Sequence, residues 1–442
     1  MTGRNLGFML SLVTALGCGD PGQASWGFDR INDMTTAPDD PNLGCGVDLP
    51  WDVTTSPRAQ CGFVSGNLPD ATLGIDPTLA AAIPIRHVIV MLKENRSFDH
   101  LFGRLHDLLP EVEAVPASYT NPDLSGTPVA PFHATTTCIP LDPGHQSVSM
   151  QAAIDGGKMD GFVRSAARTT GSDGTIALAS YEPSDLPFYH FLATTFAIND
   201  RHFAPEVSGT FANRNFLLFG TNAGTVDTGD VYPSPSTPSL LQLLINAHAT
   251  WGVYTDDLPF SGALDWKAGD PGVHPLHDLY DALDRGTLPN VVFVDGTENL
   301  DDDHPTADLQ RGEAWVKQIY DHALASPQWP RLAIIWAYDE GGGFADHVVP
   351  TPGCRATPRS PFVDRGPRVP LVVISPWAKR GFVSHVEEDH TAITRFIALL
   401  FNLPALTARD ANSSALLELF DFSCHRELDV APAPDPGTGG CP

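Results

Sequence analysis

Short apolar runs alternate along this chain with stretches whose apolar residues have helical spacing. Four runs have the length and β-branched content of buried strands, namely Ile85–Leu92, Asn290–Val294, Leu332–Tyr338 and Val369–Ser375. Three stretches have the spacing of helices, namely Ser239–Ala247, Leu309–Leu324 and Thr391–Phe401. This alternation predicts an α/β fold, with a mostly parallel central sheet and helices on both faces.

Polar clusters follow the predicted strands at the point where each strand ends. Glu94 and Asn95 come after the first strand, and Asp339 and Glu340 come after the third, ahead of three glycines. Parallel α/β sheets keep their ligand sites at the carboxyl ends of strands, and glycines allow close approach. The pair Asp339–Glu340 therefore predicts a metal or catalytic site, whereas Glu94 and Asn95 taken alone are better explained as loop residues.

The stretch Ser208–Arg214 contains a candidate nucleophile. Thr210 is predicted to be the N-cap of a helix over Phe211–Phe219, and capping alone would explain it. The N–H groups at a helix amino terminus also attract phosphate, and a bound cation would lower the pKa of the hydroxyl. Arg214, one turn further on, is a candidate for holding phosphate oxygens in a bidentate fork.

Three of the 16 histidines are candidates for chemistry at a site. His304 follows three aspartates and is a candidate proton donor to a leaving group. His145 lies in a turn ahead of a glycine-rich stretch. His390 opens the helix predicted from Thr391, where the helix dipole favours its neutral form. Most other histidines are interpreted as structural.

Composition and charge limit the partners of this chain. Its 442 residues are 42% hydrophobic, enough for one large domain or two ordinary ones. The formal net charge is −27, from 53 acidic and 26 basic residues. Because such a surface repels phosphate backbones, nucleic acid is not an expected partner. No protein partner is implied.

The amino terminus predicts export. Arg4 precedes an apolar stretch over Leu6–Leu16 that ends in small residues, the order of a secretory signal. Cys18 resembles the lipid-modified cysteine of bacterial lipoproteins, which would attach the protein to a membrane, although ordinary secretion stays open. The predicted units are a signal peptide with a lipobox (1–18), a Gly/Pro-rich linker and collar (19–80), a catalytic domain (81–424) and a Pro/Gly-rich tail (425–442).

Six further cysteines allow up to three disulfides in an oxidising compartment. Sequence does not choose among the 15 pairings that six cysteines permit. The pair Cys45–Cys61 closes the shortest loop and is the preferred one.

Together these segments resemble the phosphoesterase family that joins bacterial phospholipases C to a group of acid phosphatases, within the alkaline-phosphatase-like superfamily. Glu94–His100 is similar to the family's ENRSFDH signature, Ser208–Arg214 to its GPTxPNR block and Asp339–His347 to its DEHGGFYDH block. Weaker matches occur at Gly156–Phe162 and Arg409–Asn412. The resemblance covers about residues 85–424.

The resemblance implies a metal site and roles for individual residues. The implied ligands of a divalent metal ion are Glu94, Asn95, Thr210, Asp339 and Glu340. Thr210 would also be the nucleophile, His304 would protonate the leaving alcohol and His145 would contact phosphate oxygens. Two departures are that Ser208 and Ala212 change the surroundings of Thr210, and that Gly341 replaces a histidine.

The function predicted from the sequence is metal-dependent hydrolysis of phosphoric esters by double displacement through Thr210, with Arg214 and His390 as substrate-binding residues. Oxygen ligands do not choose among Ca, Zn, Fe and Mn. The substrate is either a phosphomonoester, as for an acid phosphatase, or a phospholipid, as for a phospholipase C. The alternative is a non-catalytic exported lipoprotein that binds phosphate or a cation; it would not need both Thr210 and His304.

Overall fold

A computed structural model describes residues 47, 49, 54–222, 224–227, 237–257, 271–356, 364–423 and 430–438. The predicted signal peptide with Cys18 lies outside these residues, and so does Cys45. Within the described part, none of the helices combines the length and the apolar character that crossing a membrane requires.

The core of the fold is an eight-stranded mixed sheet. Its strands in chain order are β1 (His87–Lys93), β2 (Ala197–Asn199), β3 (Trp251–Tyr254), β4 (Val273–His274), β5 (Val291–Val294), β6 (Leu332–Tyr338), β7 (Leu371–Ile374) and β8 (Phe382–Ser384). They lie in the order β8-β2-β7-β6-β1-β5-β3-β4. Only β7 runs against its neighbours, β6 and β2, and the other pairs are parallel.

Both faces of the sheet are covered at its centre. Every residue of β1 and β6 is buried, so neither face of these strands is open to solvent. Near-continuous apolar runs such as these are what a parallel strand covered on both sides requires. The α/β class and the mostly parallel sheet predicted from the sequence are confirmed.

The described residues contain thirteen α-helices, most of them short. They are α1 (Thr55–Ala59), α2 (Pro69–Leu73), α3 (Pro77–Ala82), α4 (Phe98–Phe102), α5 (Ser147–Ile154), α6 (Phe162–Thr170), α7 (Pro187–Thr195), α8 (Thr210–Phe219), α9 (Leu240–Asn246), α10 (Leu276–Arg285), α11 (Leu309–Ala325), α12 (Thr391–Phe401) and α13 (Ala408–Ala411). One group packs α12 against α3, α8 and α13, and a second packs α11 against α7 and α10.

Shorter elements complete the fold. Three pairs of two-residue strands join Asn121–Pro122 to Pro128–Val129, Phe132–His133 to Ala179–Ser180, and His202–Phe203 to Glu388–Asp389. Turns of 3-10 helix occur at Leu105–Asp107, Asp155–Gly157, Thr175–Leu178, Trp329–Arg331 and Leu417–Leu419.

The predicted elements are all present, and two have their predicted bounds. These two are the strand Leu332–Tyr338 and the helix Thr391–Phe401. The predicted capping role of Thr210 is wrong, because Gly209 is the N-cap and Thr210 is the first helical residue. The hydroxyl of Thr210 is therefore available for other contacts.

The preferred disulfide is also wrong. Cys61 pairs with Cys354, with their Cα atoms 5.6 Å apart and their positions 293 apart in sequence. Separation along the chain does not measure distance in the fold, and the end of α1 packs beside Cys354, whose sulfur atom lies 3.7 Å from the Arg58 carbonyl oxygen. Cys138 is also disulfide-bonded.

Candidate active site

Two central strands end side by side and bring the predicted metal ligands together. Lys93 and Tyr338, the last residues of β1 and β6, are partners in the parallel register, so Glu94 and Asp339 follow at the same edge of the sheet. The Asn95 N–H donates to Asp339 Oδ1 at 3.0 Å, and the Glu340 N–H donates to the same oxygen at 2.7 Å. Residues 244 positions apart in sequence thus form one wall.

Glycines in the turn after Glu340 permit this close approach. Gly342 has φ of +62°, and a Cβ placed on it would lie 2.1 Å from the Asn95 carbonyl oxygen. The next glycine, Gly343, has φ of +72°, and its Cβ would lie 2.7 Å from the Pro143 side chain. Only glycine fits such positions without displacing the backbone. The turn therefore interlocks the Asn95 segment with the loop that carries His145.

Thr210 places its hydroxyl against this wall. Thr210 Oγ1 lies 3.2 Å from Glu94 Oε2 and 3.4 Å from Asn95 Oδ1. Because Thr210 is the first residue of α8, this hydroxyl lies at the amino-terminal end of that helix. The structure thus brings the candidate nucleophile to the candidate metal ligands.

Arg214, one turn along α8, points into the carboxylates. Its guanidinium lies 2.8 Å from Glu94 Oε1, 2.9 Å from Asp295 Oδ1 and 3.4 Å from Asp339 Oδ2. It also donates to the Leu92 carbonyl at 2.7 Å. The side chain is 4% exposed. Its predicted role in holding phosphate oxygens stays a prediction. Its contacts show that it supplies a positive charge to three carboxylates.

The site carries more negative than positive charge, and the pKa values reflect this. Burial raises the pKa of Glu94 to about 8, helped by Asp339 and opposed by Arg214. Burial also raises the pKa of Glu340 well above its usual range, although His145 opposes the shift. Glu340 Oε1 is buried without a hydrogen-bond partner. A cation would relieve both the repulsion and the unpaired oxygen.

The donor set fits a divalent metal ion. Carboxylate, amide and hydroxyl oxygens are the ligands of hard cations. Here they come from Glu94, Asn95, Thr210, Asp339 and Glu340, all in the cluster described above.

His145 and His304 lie together beside this cluster. His145 Nε2 is 3.5 Å from Asn95 Nδ2, and the rings of the two histidines are 5.9 Å apart. Burial alone would lower the pKa of His145, but the charges of Glu340 and Asp142 raise it to about 10. These two carboxylates therefore favour the protonated form of His145. Asp142, one of whose carboxylate oxygens lies within 4.8 Å of both histidines, was not predicted; the turn it shares with His145 was the only sequence signal.

His390 lies beneath the site. Its Nε2–H donates to the Asp339 carbonyl at 2.8 Å, and its Nδ1 lies 3.1 Å from His202 Nε2. Burial lowers its pKa to about 4. His390 is neutral, as predicted, but burial is the main cause. These contacts hold the backbone of Asp339, and substrate binding by His390 stays a prediction.

A second acidic group, Asp99, Asp346 and His347, has the spacing of metal ligands. Arg368 donates to both carboxylates, at 2.8 Å to Asp99 and 2.9 Å to Asp346. His347 Nδ1 lies 2.7 Å from Asp99. These charges are therefore compensated within the group.

Comparison with known proteins identifies the family. Residues 85–404 match the family model named Phosphoesterase family. The chain belongs to the phosphoesterase family. It is 30% identical over 379 residues to non-specific phospholipase C3 of Arabidopsis thaliana, covering 75% of this chain and 72% of that protein. It is 29% identical over 429 residues to phospholipase C B of Mycobacterium tuberculosis, covering 81% and 82%.

Family membership confirms the resemblance and the activity class, so this phosphoesterase is a phosphoric ester hydrolase. Among solved structures, an alkaline phosphatase superfamily protein from Vibrio parahaemolyticus is 12% identical, with a TM-score of 0.33, covering 71% of this chain and 77% of that one. That similarity is too low to bear on the site.

Proposed function

We propose that this phosphoesterase cleaves its esters by double displacement at a divalent metal ion, with Thr210 as the nucleophile. The observation that carries the proposal is the position of Thr210 Oγ1, within 3.4 Å of both Glu94 and Asn95 at the start of α8. When bound by these residues with Asp339 and Glu340, the ion would lower the pKa of the hydroxyl and offset the charge of the phosphate. Ca, Zn, Fe and Mn all accept such ligands.

The protein's own groups carry the remaining steps. Thr210 Oγ1 loses its proton to solvent and attacks phosphorus, and the bond to the leaving oxygen breaks as His304 gives that oxygen a proton. His145, whose protonated form Glu340 and Asp142 favour, contacts phosphate oxygens. Water then hydrolyses the phosphothreonine and returns Thr210 to its free form. Donors that are fixed in place before reaction usually make the largest contribution to such catalysis.

The substrate we propose is a phospholipid. Relatives that span most of this chain are named phospholipases C. Two exposed apolar side chains flank the site loops: Val148 (76% exposed) follows His145 by three residues, and Leu300 (36% exposed) precedes His304 by four. An apolar rim of this kind suits the diacylglycerol group of a phospholipid. The predicted lipid anchor at Cys18 would hold the enzyme beside such a substrate.

Thr210→Ala and Thr210→Ser test the nucleophile, assayed on p-nitrophenyl phosphate and on phosphatidylcholine vesicles with divalent metals supplied. We expect the alanine variant to lose a factor of about a thousand or more on both, because removing a nucleophile normally does so. The serine variant keeps a hydroxyl and should retain much of the activity. More than about a tenth of wild-type activity in the alanine variant would refute the nucleophile.

The same assay separates the two substrate classes. Turnover of phosphatidylcholine by the wild type is expected. Hydrolysis confined to monoesters would instead make the protein a phosphatase of the acid-phosphatase type. Phosphate binding without turnover of any ester would favour the non-catalytic lipoprotein.

A further inference from the structure

A buried polar cluster lies directly behind the loop that carries His304. Its centre is Asp303, which is 0% exposed. Asp303 Oδ2 accepts hydrogen bonds from the hydroxyls of Tyr338 (2.5 Å) and Tyr189 (2.9 Å), and Asp303 Oδ1 lies 3.3 Å from Lys93 Nζ. Lys93 and Tyr338 end β1 and β6, so the two fully buried central strands of the sheet hold this carboxylate.

The same loop is joined through its backbone to the segment with the metal ligands. Three consecutive carbonyl oxygens, those of residues 301, 302 and 303, accept hydrogen bonds from that segment. Their donors are the Lys93 ammonium, the Glu94 N–H at 2.9 Å and the Arg96 Nε–H at 2.8 Å. Any shift of the loop relative to Glu94 would break these three hydrogen bonds.

His304 follows these three hydrogen-bonded residues, and one nitrogen of its ring is available for proton transfer. The backbone N–H of His304 donates to Asp302 Oδ1 at 3.0 Å, and the ring Nδ1 contacts the Pro305 carbonyl oxygen. Because a carbonyl oxygen only accepts, Nδ1 keeps its hydrogen in both protonation states. Nε2 is therefore the atom that gives or takes the proton.

The neighbouring helix makes room for the carboxylate. A Cβ on Gly312, in the first turn of α11, would lie 1.6 Å from Asp303 Oδ1 and 2.8 Å from Lys93 Nζ. Glycine in a helix costs about 1 kcal/mol relative to alanine. Removing one partner of a buried ion pair is costly, but replacing both partners with apolar residues of the same volume is often neutral or stabilising. Stability alone therefore does not account for an ion pair at this place.

We propose that Asp303 is a positioning residue, which holds His304 where Nε2 reaches the leaving oxygen. The proposal rests on the proposed function, in which His304 is the proton donor. As the bond between phosphorus and the leaving oxygen breaks, the proton passes from Nε2 to that oxygen, so a displaced His304 slows only those reactions that need the proton.

Esters with different leaving groups reveal this selectivity. p-Nitrophenolate leaves readily without a proton, whereas an alkoxide does not. We therefore compare kcat/KM for p-nitrophenyl phosphate with kcat/KM for an alkyl phosphate, in the metal-loaded enzyme. General acid catalysis contributes about 10²–10⁴-fold, so His304→Gln should lose that factor on the alkyl ester and much less on the aryl ester. Asp303→Asn should show the same selectivity, with a loss of about tenfold or more on the alkyl ester.

Asp410→Asn is the matched control, because Asp410 is also buried and hydrogen-bonded but caps α13 away from the site. It should lower stability without selectivity between the esters. If Asp303→Asn does not fold, Tyr338→Phe removes one of its hydrogen bonds and should show the selectivity instead.

Equal losses on both esters for the Asp303 and Tyr338 variants, beside a selective loss for His304→Gln, would overturn the positioning role and leave the proposed function intact. An unselective His304→Gln would instead refute His304 as the donor, and the positioning role with it.

Discussion

Replacing Arg214 with methionine removes the positive charge that two buried carboxylates and the partly buried Glu94 share. The guanidinium lies within 3.4 Å of Glu94, Asp295 and Asp339. Removing one partner of a buried ion pair costs about 3–5 kcal/mol, since the remaining charge stays buried without compensation. We expect the metal-free variant to lose that much free energy of unfolding relative to the metal-free wild type.

A bound divalent ion should restore part of this loss. Glu94 and Asp339 are proposed metal ligands, and Arg214 competes with the metal for their charge. A ligand at 100 times its Kd stabilises the folded state by about 2.7 kcal/mol, and a tenfold tighter Kd adds about 1.4 kcal/mol. The stabilisation conferred by metal should therefore be about 1–2 kcal/mol larger in Arg214→Met than in the wild type.

Urea unfolding monitored by tryptophan fluorescence, with chelator or with excess metal, measures both quantities. Arg409→Met is the control, because Arg409 is buried against Asp389 at 2.9 Å and Asp389 is not a proposed ligand. Arg409→Met should lose a similar free energy of unfolding, and metal should stabilise it by the same amount as it stabilises the wild type. Equal stabilisation by metal in the wild type and in both variants would refute the inference that Arg214 and the metal compete for the same carboxylates.

Two further predictions concern stability. Burial raises the pKa of Glu313 to about 8, although its carboxylate accepts from the Phe188 and Tyr189 N–H groups. The folded state therefore binds this proton more tightly than the unfolded state, and stability falls as pH rises from about 4.5 to about 8, by at most about 5 kcal/mol. Glu313→Gln should remove this pH dependence, so that the Tm of the variant exceeds the Tm of the wild type by more at pH 8 than at pH 5. An equal difference in Tm at both pH values would contradict the raised pKa of Glu313. The double variant Cys61→Ser with Cys354→Ser should lose on the order of 5 kcal/mol in urea unfolding, because the bond closes a loop of 293 residues; a loss below about 1 kcal/mol would contradict that role.

The sequence predicted those parts of the fold that one buried strand or one amphipathic helix specifies by itself. Leu332–Tyr338 has the predicted bounds because its apolar run is uninterrupted, and Thr391–Phe401 because its apolar residues keep helical spacing over three turns. The direction of a strand is not in that pattern, and the antiparallel run of Leu371–Ile374 was not predicted. Strands of two or three residues, such as Ala197–Asn199, are too short to give a periodic signal.

For the site, the sequence placed Asp339 and Glu94 at strand ends, and the fold brings them together because their strands are neighbours. It could not give the direction of a side chain. The role of Arg214 in substrate binding stays a prediction, and its contacts with carboxylates, including Asp295, were not predicted. Asp303 was interpreted only as part of an acidic run, since its partners come from other elements.

The central claim, that a threonine of the protein is phosphorylated and then hydrolysed, is tested most directly by the stereochemical course at phosphorus. The measurement uses a thiophosphate monoester made chiral at phosphorus with two oxygen isotopes and hydrolysed in water labelled with the third isotope, so that the released thiophosphate is itself chiral. Attack by Thr210 and then by water inverts phosphorus twice, so the account predicts overall retention of configuration. Overall inversion would mean a single direct attack by water and would contradict Thr210 as the nucleophile.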